Sequence, residues 1–174
     1  TTEAIEAMAD TIMNETLKKK FMQKFSVDTS YSVPGVGRFR VNIFRQRGTT
    51  SLVFRNIPFD IPTVESLNLP QIIKTFCAKP QGLVIVTGPT GSGKSSTLAA
   101  MVQLINQTSS LHIVTIEDPI EYLFKNEQSI ISQREIGIDT PNFAHALKDA
   151  LRQDPDVILI GEMRDIETTS IAMN

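Results

Sequence analysis

The sequence has little of what secreted, metal-cluster or membrane-spanning proteins need. It contains one cysteine, Cys77, and no tryptophan among its 174 residues. A lone cysteine cannot form an internal disulfide or a cysteine-ligated metal cluster, so nothing indicates an oxidising compartment. The apolar runs are short, such as residues 83–86 and 157–160, whereas a transmembrane helix needs about 20 apolar residues. We therefore expect a soluble protein of a reducing compartment, with no direct membrane insertion.

A basic excess is also missing from the composition. The 17 Lys and Arg side chains stand against 19 Asp and Glu, for a net charge of −2. Nucleic-acid binding calls for concentrated Lys and Arg patches, so the composition predicts no nucleic-acid partner. The densest basic run, Lys18–Lys20 with Lys24, is interpreted as the solvated face of a helix.

The first 60 residues combine a helical pattern with a strand pattern. Apolar residues recur at helical spacing over residues 3–25, and Asn14 can cap a second helix, which predicts one or two amphipathic helices. Over residues 30–57 the apolar period changes to two, and Gly48 precedes the second apolar run. This change predicts antiparallel strands joined by a turn.

Prolines mark the end of this region. Pro58, Pro62 and Pro70 punctuate a polar stretch, which predicts a connection between domains with a boundary near residue 60. The chain starts without Met and ends at Asn174 within a helical pattern. We therefore expect it to be a segment of a longer protein.

The second region alternates strand and helix patterns. Continuous apolar runs predict buried parallel strands over Gly82–Thr87, His112–Ile116 and Val157–Ile160. Apolar residues on one face predict a helix over Ser95–Asn106, and Thr140-Pro141 predicts the N-cap and first position of another helix. The fold class predicted for this region is α/β.

One motif carries the strongest chemical signal. Residues 88–95 read G-P-T-G-S-G-K-S, which satisfies the P-loop pattern G-x-x-x-x-G-K-[ST] between a predicted strand and a predicted helix. Loop amides and the positive helix end would hold phosphate oxygens, Lys94 would reach the β- and γ-phosphates, and the Ser95 hydroxyl would bind Mg²⁺. The predicted nucleotide-binding residues are Pro89, Thr90, Gly91, Ser92, Gly93, Lys94, Ser95 and Ser96.

Hydrolysis also needs acidic groups, and two strand-end segments supply them. Residues 116–121 read I-E-D-P-I-E, and residues 158–162 read I-L-I-G-E. The second resembles a Walker B strand, but Gly161 stands where many P-loop enzymes place an Asp that supports the metal. Glu162 is therefore the carboxylate best placed to orient or deprotonate water. Acidic residues after strands are often only helix caps, and the P-loop is what favours the catalytic interpretation here.

Two strand arginines are further candidates. Arg40 and Arg55 lie on the two predicted strands of the first region, and opposing strands can bring guanidinium groups together over a phosphate. The pattern alone favours the alternative that both are solvated. His112 and His145 have no partner pattern that indicates a metal site, and Cys77 is predicted to be a small buried apolar residue.

Four segments together resemble a known family. The P-loop, I-E-D-P-I-E at 116–121, Q-R-E-I-G at 133–137 and A-L-R-Q-D-P-D-V-I-L-I-G-E-M-R-D at 150–165 resemble the secretion ATPases of type IV pilus and type II secretion systems. The resemblance extends from about Tyr31 to the end of the chain. Q-R-E with G-E-M-R-D is most similar to the pilus retraction (twitching motility) ATPases.

The resemblance implies an architecture and a setting. It implies the C-terminal part of a PAS-like α+β domain over residues 1–60, a linker over 61–70 and an incomplete RecA-like P-loop core over 71–174. It also implies a ring of six identical subunits at the cytoplasmic face of the inner membrane, where an inner-membrane platform protein of the pilus machine is a partner. Family members continue beyond both ends of this chain, and their later part includes a histidine-containing segment.

The resemblance also implies a site for ATP and Mg²⁺. The functional acid at the end of the family's Asp box falls on Glu121, and the Walker B acid falls on Glu162. Two arginines that approach the γ-phosphate fall on Arg40 and Arg55, which reverses the interpretation from the strand pattern alone. The expected function is Mg²⁺-dependent ATP hydrolysis that powers pilus retraction.

Three alternatives stay open at this point. A pilus extension or type II secretion ATPase would share nearly all of these residues. A noncatalytic subunit that binds ATP to hold a ring together is a different class, which Gly161 leaves open. A RecA-like nucleic-acid motor is disfavoured, because the sequence lacks a basic or aromatic-rich binding surface.

Overall fold

The computed structural model describes residues 1–57 and 60–173. The chain divides into two compact units, Thr1–Pro58 and Phe59–Asn174. Each unit contains its own three-stranded sheet together with helices, so the fold is a mixed α/β fold.

Two helices open the first unit. Helix α1 spans Thr2–Ile12 and helix α2 spans Glu15–Lys24. The Asn14 side chain caps α2, because its Oδ1 accepts a hydrogen bond from the Leu17 amide at 2.9 Å. The sequence predicts one or two amphipathic helices with Asn14 able to cap a second, and the structure has two, with Asn14 as the cap of the second.

An antiparallel sheet completes the first unit. Strands β1 (Ser26–Val33), β2 (Gly37–Gln46) and β3 (Thr49–Ile57) pair in that order. The two predicted strand runs and the turn at Gly48 are present, whereas β1 was not identified because threonine and serine interrupt its apolar pattern. The helices and the sheet enclose a common core of Ala9, Met13, Leu17, Phe21, Val27, Val41 and Ile43.

Residues 60–71 contain turns and irregular structure but no helix or strand. Thr63 and Ser66 bond each other reciprocally, each backbone amide donating to the other's hydroxyl, at 2.9 and 3.0 Å. Val64 is only 1% exposed, so the segment is packed locally. The assignment of residues 61–70 as a linker stays a prediction.

The second unit is built on a parallel sheet. Strand order is β5-β4-β6, and β4 pairs in parallel with both neighbours. The elements of this unit are α3 (Ile72–Cys77), α4 (Lys94–Thr108), β4 (His112–Glu117), β5 (Ile130–Glu135), α5 (Phe143–Ala150), β6 (Val157–Ile160) and α6 (Ile166–Ala172).

Strand β4 is the centre of this unit. Its side chains alternate between two faces, and residues 113–116 are fully buried. Val114 and Ile116 pack against α5, whereas Ile113 packs against Val102 and Ile105 of α4. Helices therefore cover both faces of the strand, which explains its continuous apolar run. The predictions for α4, β4 and β6 are confirmed.

The prediction of a buried strand over Gly82–Thr87 is wrong for the structure described. The segment pairs with neither edge of the described sheet, and Leu83, Val84 and Ile85 are 52%, 44% and 61% exposed. An apolar run supplies the composition of a strand, but a strand also needs a neighbouring backbone that accepts and donates its hydrogen bonds.

The predicted start of helix α5 is also wrong. Asn142 is the N-cap, and its side chain accepts a hydrogen bond from the His145 amide at 2.8 Å. Thr140 instead closes the preceding loop, since its carbonyl accepts a hydrogen bond from Gly137 at 2.7 Å. Pro141 therefore precedes the cap rather than occupying the first helical position.

Candidate functional site

The P-loop joins the exposed segment at residues 82–87 to helix α4. Gly93 is the N-cap of α4 and has φ of 92°, a left-handed conformation that side chains other than glycine rarely adopt. The Lys94 ammonium group donates to the carbonyls of Gly88 and Pro89, each at 2.9 Å. The cation is therefore held within the loop that the motif assigns to phosphate binding.

Helix α4 gives this loop an electrostatic preference for anions. Its 15 residues, Lys94–Thr108, begin after the N-cap Gly93, where no side chain makes a capping hydrogen bond, so the amides of its first turn stay available. The aligned peptide dipoles add partial positive charge at the same end. Loop, lysine and helix end together form an arrangement that can hold phosphate groups.

The donor set around the loop fits Mg²⁺. Ser95 is exposed in the first turn of α4 and offers a hydroxyl oxygen. Mg²⁺ prefers oxygen ligands and usually takes several of them from water and substrate phosphates rather than from a protein cage. Among the described residues no group of three or more His, Cys, Asp or Glu side chains could hold a metal ion by itself. Ser95 would therefore share such an ion with a bound nucleotide.

The buried carboxylate of Glu117 ends strand β4. Its Oε1 accepts from the Thr115 hydroxyl at 2.7 Å and from Gln133 Nε2 at 3.3 Å, and its Oε2 accepts from the Glu121 amide at 3.2 Å. The side chain is only 8% exposed. Burial raises the pKa of Glu117, and these hydrogen bonds oppose the rise.

Glu121 lies four residues later, in the loop that follows β4. The residue is exposed, and its backbone amide is the group that Glu117 holds. The next residue, Tyr122, brings its hydroxyl within 3.0 Å of Ser96 Oγ on helix α4. The loop that carries Glu121 is thus in direct contact with the helix that starts at the P-loop.

Glu162 follows strand β6 and is half-buried. Its Oε2 lies 2.9 Å from Arg164 Nη2, in an ion pair whose arginine side chain is 81% exposed. Exposed ion pairs of this kind contribute little to stability, so the pair leaves the carboxylate able to change partner.

The residue before Glu162 explains the departure from the usual Walker B pattern. The Gly161 amide donates to the Ile116 carbonyl at 2.8 Å. A Cβ atom at Gly161 would lie 3.3 Å from that carbonyl oxygen and 3.4 Å from the Glu117 Cα. Glycine is therefore what allows the end of β6 to approach β4 so closely.

Arg40 and Arg55 are cross-strand partners in the first unit. They occupy opposite positions in the antiparallel register of β2 and β3. Arg40 is half-buried and Arg55 is exposed. The sheet therefore places the two arginines side by side, an arrangement that the two predicted strands allowed although the strand pattern alone favoured solvated arginines.

Two side chains around the Asp box were given no role by the sequence interpretation. Tyr122 lay just outside the quoted I-E-D-P-I-E motif, and Gln133 was quoted only as part of Q-R-E-I-G. Gln133 contacts both the Glu117 carboxylate and the loop that carries Glu121. Its presence in a recognised motif was the available signal, but its contacts depend on the parallel pairing of β4 and β5.

Comparison with known proteins adds an independent line of evidence. The family model described as "Type II/IV secretion system protein" matches residues 38–174. The Pseudomonas aeruginosa protein described as "Type IV pilus retractation ATPase PilT" is 48% identical over 169 residues, covering 97% of this chain and 49% of that protein. A "Twitching motility protein" of Neisseria gonorrhoeae is 48% identical over 171 residues, covering 98% of this chain and 46% of that protein.

Solved structures agree with these relatives. A crystal structure of the pilus retraction motor PilT with bound ADP matches with a TM-score of 0.91 at 52% identity, covering 97% of this chain and 49% of that chain. The present chain thus spans about half the length of the relatives it matches. It belongs to the type II/IV secretion system protein family and, within that family, resembles the pilus retraction ATPases.

Proposed function

We propose that this chain is part of a Mg²⁺-dependent ATPase that powers type IV pilus retraction. The observation that carries the proposal is the P-loop. Its Lys94 and its N-cap Gly93 lie at the amino end of α4, where no side chain caps the helix. Relatives described as pilus retraction and twitching motility proteins match nearly the whole chain, and a structural neighbour at 52% identity is described with bound ADP.

Nucleotide binding would use the loop and the first turn of α4. The amides of residues 90–96 would donate to phosphate oxygens, and Lys94 would exchange its two carbonyl partners for the β- and γ-phosphates. Such an exchange replaces neutral acceptors with charged ones, which form stronger hydrogen bonds with an ammonium group.

Glu162 and Glu121 are the acidic residues that would act at the attacking water. Glu162 would orient the attacking water and accept its proton, after it leaves its exposed partner Arg164. Glu121 would support the water or the metal from the adjacent loop. A Mg²⁺ ion held by Ser95 and the phosphates would supply charge neutralisation at the transferred group.

Arg40 and Arg55 would supply positive charge from the first unit. Guanidinium groups stabilise the charge that spreads over the equatorial oxygens of a transferred phosphoryl group. Their cross-strand positions support this proposal, since they place two guanidinium groups close enough to contact one anion.

The wider setting is proposed from the resemblance. We propose that residues 1–60 belong to a PAS-like domain, residues 61–70 to a linker and residues 71–174 to a RecA-like core. Six copies would form a ring at the cytoplasmic face of the inner membrane, with a platform protein of the pilus machine as the partner and no nucleic acid. Within the described part of the chain, every helix is too short or too polar to span a membrane.

Phosphate release tests the enzymatic part of the proposal. The full-length gene product should release phosphate from ATP with Mg²⁺ and lose this activity when EDTA replaces the metal. Tight ATP binding without phosphate release would instead identify the noncatalytic assembly subunit, the class that the missing Walker B Asp at Gly161 leaves open. Failure both to bind and to hydrolyse ATP would contradict the proposal entirely.

Retraction and extension require a cellular test. Deletion of the gene should leave pili on the cell surface and abolish twitching if the motor retracts them. Loss of the surface pili would support the extension ATPase, and loss of protein export with pili unchanged would support the type II secretion ATPase.

A further inference from the structure

The loop that carries Glu121 is held by side chains. This segment, residues 118–124, contains no helix or strand and is called the Glu121 loop below. Because its backbone cannot use a regular ladder, its amides need other acceptors. Ile120 donates to Glu135 Oε2 at 3.1 Å, and Glu121 donates to Glu117 Oε2 at 3.2 Å. Strand side chains thus fix the main chain on both sides of Glu121.

Gln133 makes the most extensive of these contacts. Its Oε1 accepts from the Phe124 amide at 2.9 Å, while its Nε2 donates to the Tyr122 carbonyl at 2.8 Å. An amide donor and a carbonyl acceptor in the loop therefore require both ends of a carboxamide, which fixes its orientation. A carboxylate of the same length could accept from the Phe124 amide but could not donate to the Tyr122 carbonyl, and an apolar side chain could do neither.

The same amide group is anchored on a buried carboxyl group. Gln133 Nε2 also donates to Glu117 Oε1 at 3.3 Å, and that oxygen accepts from the Thr115 hydroxyl at 2.7 Å. Buried hydrogen-bond networks of this kind hold their members in one arrangement, because each unsatisfied group would cost free energy. Gln133 therefore connects the Glu121 loop to the rigid centre of the parallel sheet.

The loop contacts the P-loop helix on its other side. Tyr122, whose carbonyl Gln133 holds, places its hydroxyl 3.0 Å from Ser96 Oγ. Ser96 lies two residues after Lys94 in the first turn of α4. A chain of contacts consequently runs from the sheet through Gln133 and Tyr122 to the helix that starts at the phosphate loop.

We infer that Gln133 is a positioning residue that sets the distance between Glu121 and the P-loop. It acts through the Glu121 loop and does not touch the nucleotide itself. This inference rests on the proposed ATPase function, because it assigns Gln133 a part in turnover. Displacement of a functional group by about 1 Å can cost about 10²-fold in rate, so loss of the carboxamide should be visible in kinetics.

The test is Gln133→Met in the full-length protein. Methionine keeps the length and approximate volume of the side chain but removes its strong donor and acceptor. We expect kcat to fall by roughly 10- to 100-fold, with KM for ATP changed by less than about threefold, because binding through the P-loop is intact. An unchanged kcat would overturn the inference, and so would a parallel loss of ATP binding.

A matched control separates positioning from general effects of the substitution. Gln103 on helix α4 also donates from its Nε2, to the exposed Glu127 Oε1 at 2.6 Å, but does not contact the Glu121 loop. Gln103→Met should leave kcat and KM unchanged. If it slowed turnover as much as Gln133→Met, the effect would not come from the loop and the inference would be wrong.

A second variant covers the case in which Gln133→Met fails to fold. Tyr122→Phe removes only the hydroxyl that meets Ser96. It should lower kcat by roughly 3- to 10-fold with KM for ATP unchanged, the expected size for one lost hydrogen bond that fixes geometry. A normal kcat in Tyr122→Phe would show that the contact between the Glu121 loop and helix α4 has no effect on turnover, which would refute the inference.

Hydrogen exchange distinguishes failure of the inference from failure of the proposed function. The Phe124 amide should exchange at least about 10-fold faster in Gln133→Met, because its acceptor is lost, whether or not the protein hydrolyses ATP. Absence of ATP turnover in the unmodified protein would refute the proposed function and the role of Gln133 in turnover. If the unmodified protein hydrolyses ATP but the Phe124 amide of Gln133→Met exchanges at the unmodified rate, only the inference about Gln133 is refuted.

Discussion

Arg40 and Arg55 stand directly opposite each other across strands β2 and β3. Opposed residues of an antiparallel pair have Cβ atoms about 4.5–5.5 Å apart, and like charges at such positions destabilise a sheet. A phosphate group bound by both side chains would offset this repulsion. The register places the two arginines side by side, as the proposed role of both at one phosphate group requires.

Substitution of either arginine should affect turnover more than binding. Arg40→Gln and Arg55→Gln should each lower kcat by roughly 10³-fold or more, the lower end of the range for arginines that stabilise phosphoryl transfer, with a small change in KM. Arg47→Gln, at the exposed turn between the same strands, is the matched control and should have normal activity. Steady-state kinetics that show full activity in both site variants would exclude these arginines from the mechanism.

Substitution of Glu162 should separate hydrolysis from binding. Glu162→Gln keeps the shape of the side chain but cannot accept a proton, so phosphate release should slow by roughly 10²-fold or more while ATP affinity is retained. Glu167→Gln is the control, because Glu167 is exposed and pairs only with Lys148 in the described structure. Turnover of Glu162→Gln at the rate of this control would assign the water-activating role to another residue.

Substitution of Gly161 should reveal the close approach of β6 to β4. In Gly161→Ala the new methyl group would lie 3.3 Å from the Ile116 carbonyl oxygen, so a neighbour must move. We expect the free energy of unfolding in urea to fall by about 1–3 kcal/mol, as for other overpacked sites. Gly161→Asp should cost more, since it adds a second carboxylate beside Glu117. Equal stability of all three proteins would contradict the packing described for this position.

The pH dependence of stability should report the burial of Glu117. Burial raises the pKa of this group in the folded protein above its ordinary value of 4.5, so the folded state binds the proton more tightly than the unfolded chain. The resulting stabilisation is fully present below pH 4.5 and is lost as the pH rises through the raised pKa. Urea unfolding of the protein and of Glu117→Gln should therefore show the variant gaining in relative stability as the pH rises above 4.5. A stability difference that is independent of pH would contradict this assignment.

Elements with strong local signals could be predicted from the sequence. Helix α4 and strands β4 and β6 combine an unbroken apolar pattern with a motif or a clear boundary, so local information sufficed. Asn14 is a similar case, because a cap acts within one turn of its helix. The placement of Arg40 and Arg55 on two neighbouring strands followed from period-two alternation and one short turn, whereas their directly opposed register is a finding of the structure.

Features that depend on distant neighbours could not be predicted in the same way. The apolar segment over 82–87 has the composition of a strand, yet no described strand pairs with it. Strand β5 reads I-I-S-Q-R-E and lacks an apolar pattern beyond its first residues, so only its pairing with β4 identifies it. The same pairing brings Gln133 next to Glu117, a contact that cannot be predicted from residues close in sequence.

Calorimetric titration of the full-length protein with ATP tests the central claim most directly. We expect saturable binding in the presence of Mg²⁺, and affinity reduced at least about 10-fold in Lys94→Ala, because the ammonium group that would face the phosphates is removed. Lys79→Ala, at an exposed lysine outside the loop, should bind ATP normally. Equal affinity of Lys94→Ala and the unmodified protein, or no binding by either, would contradict the account.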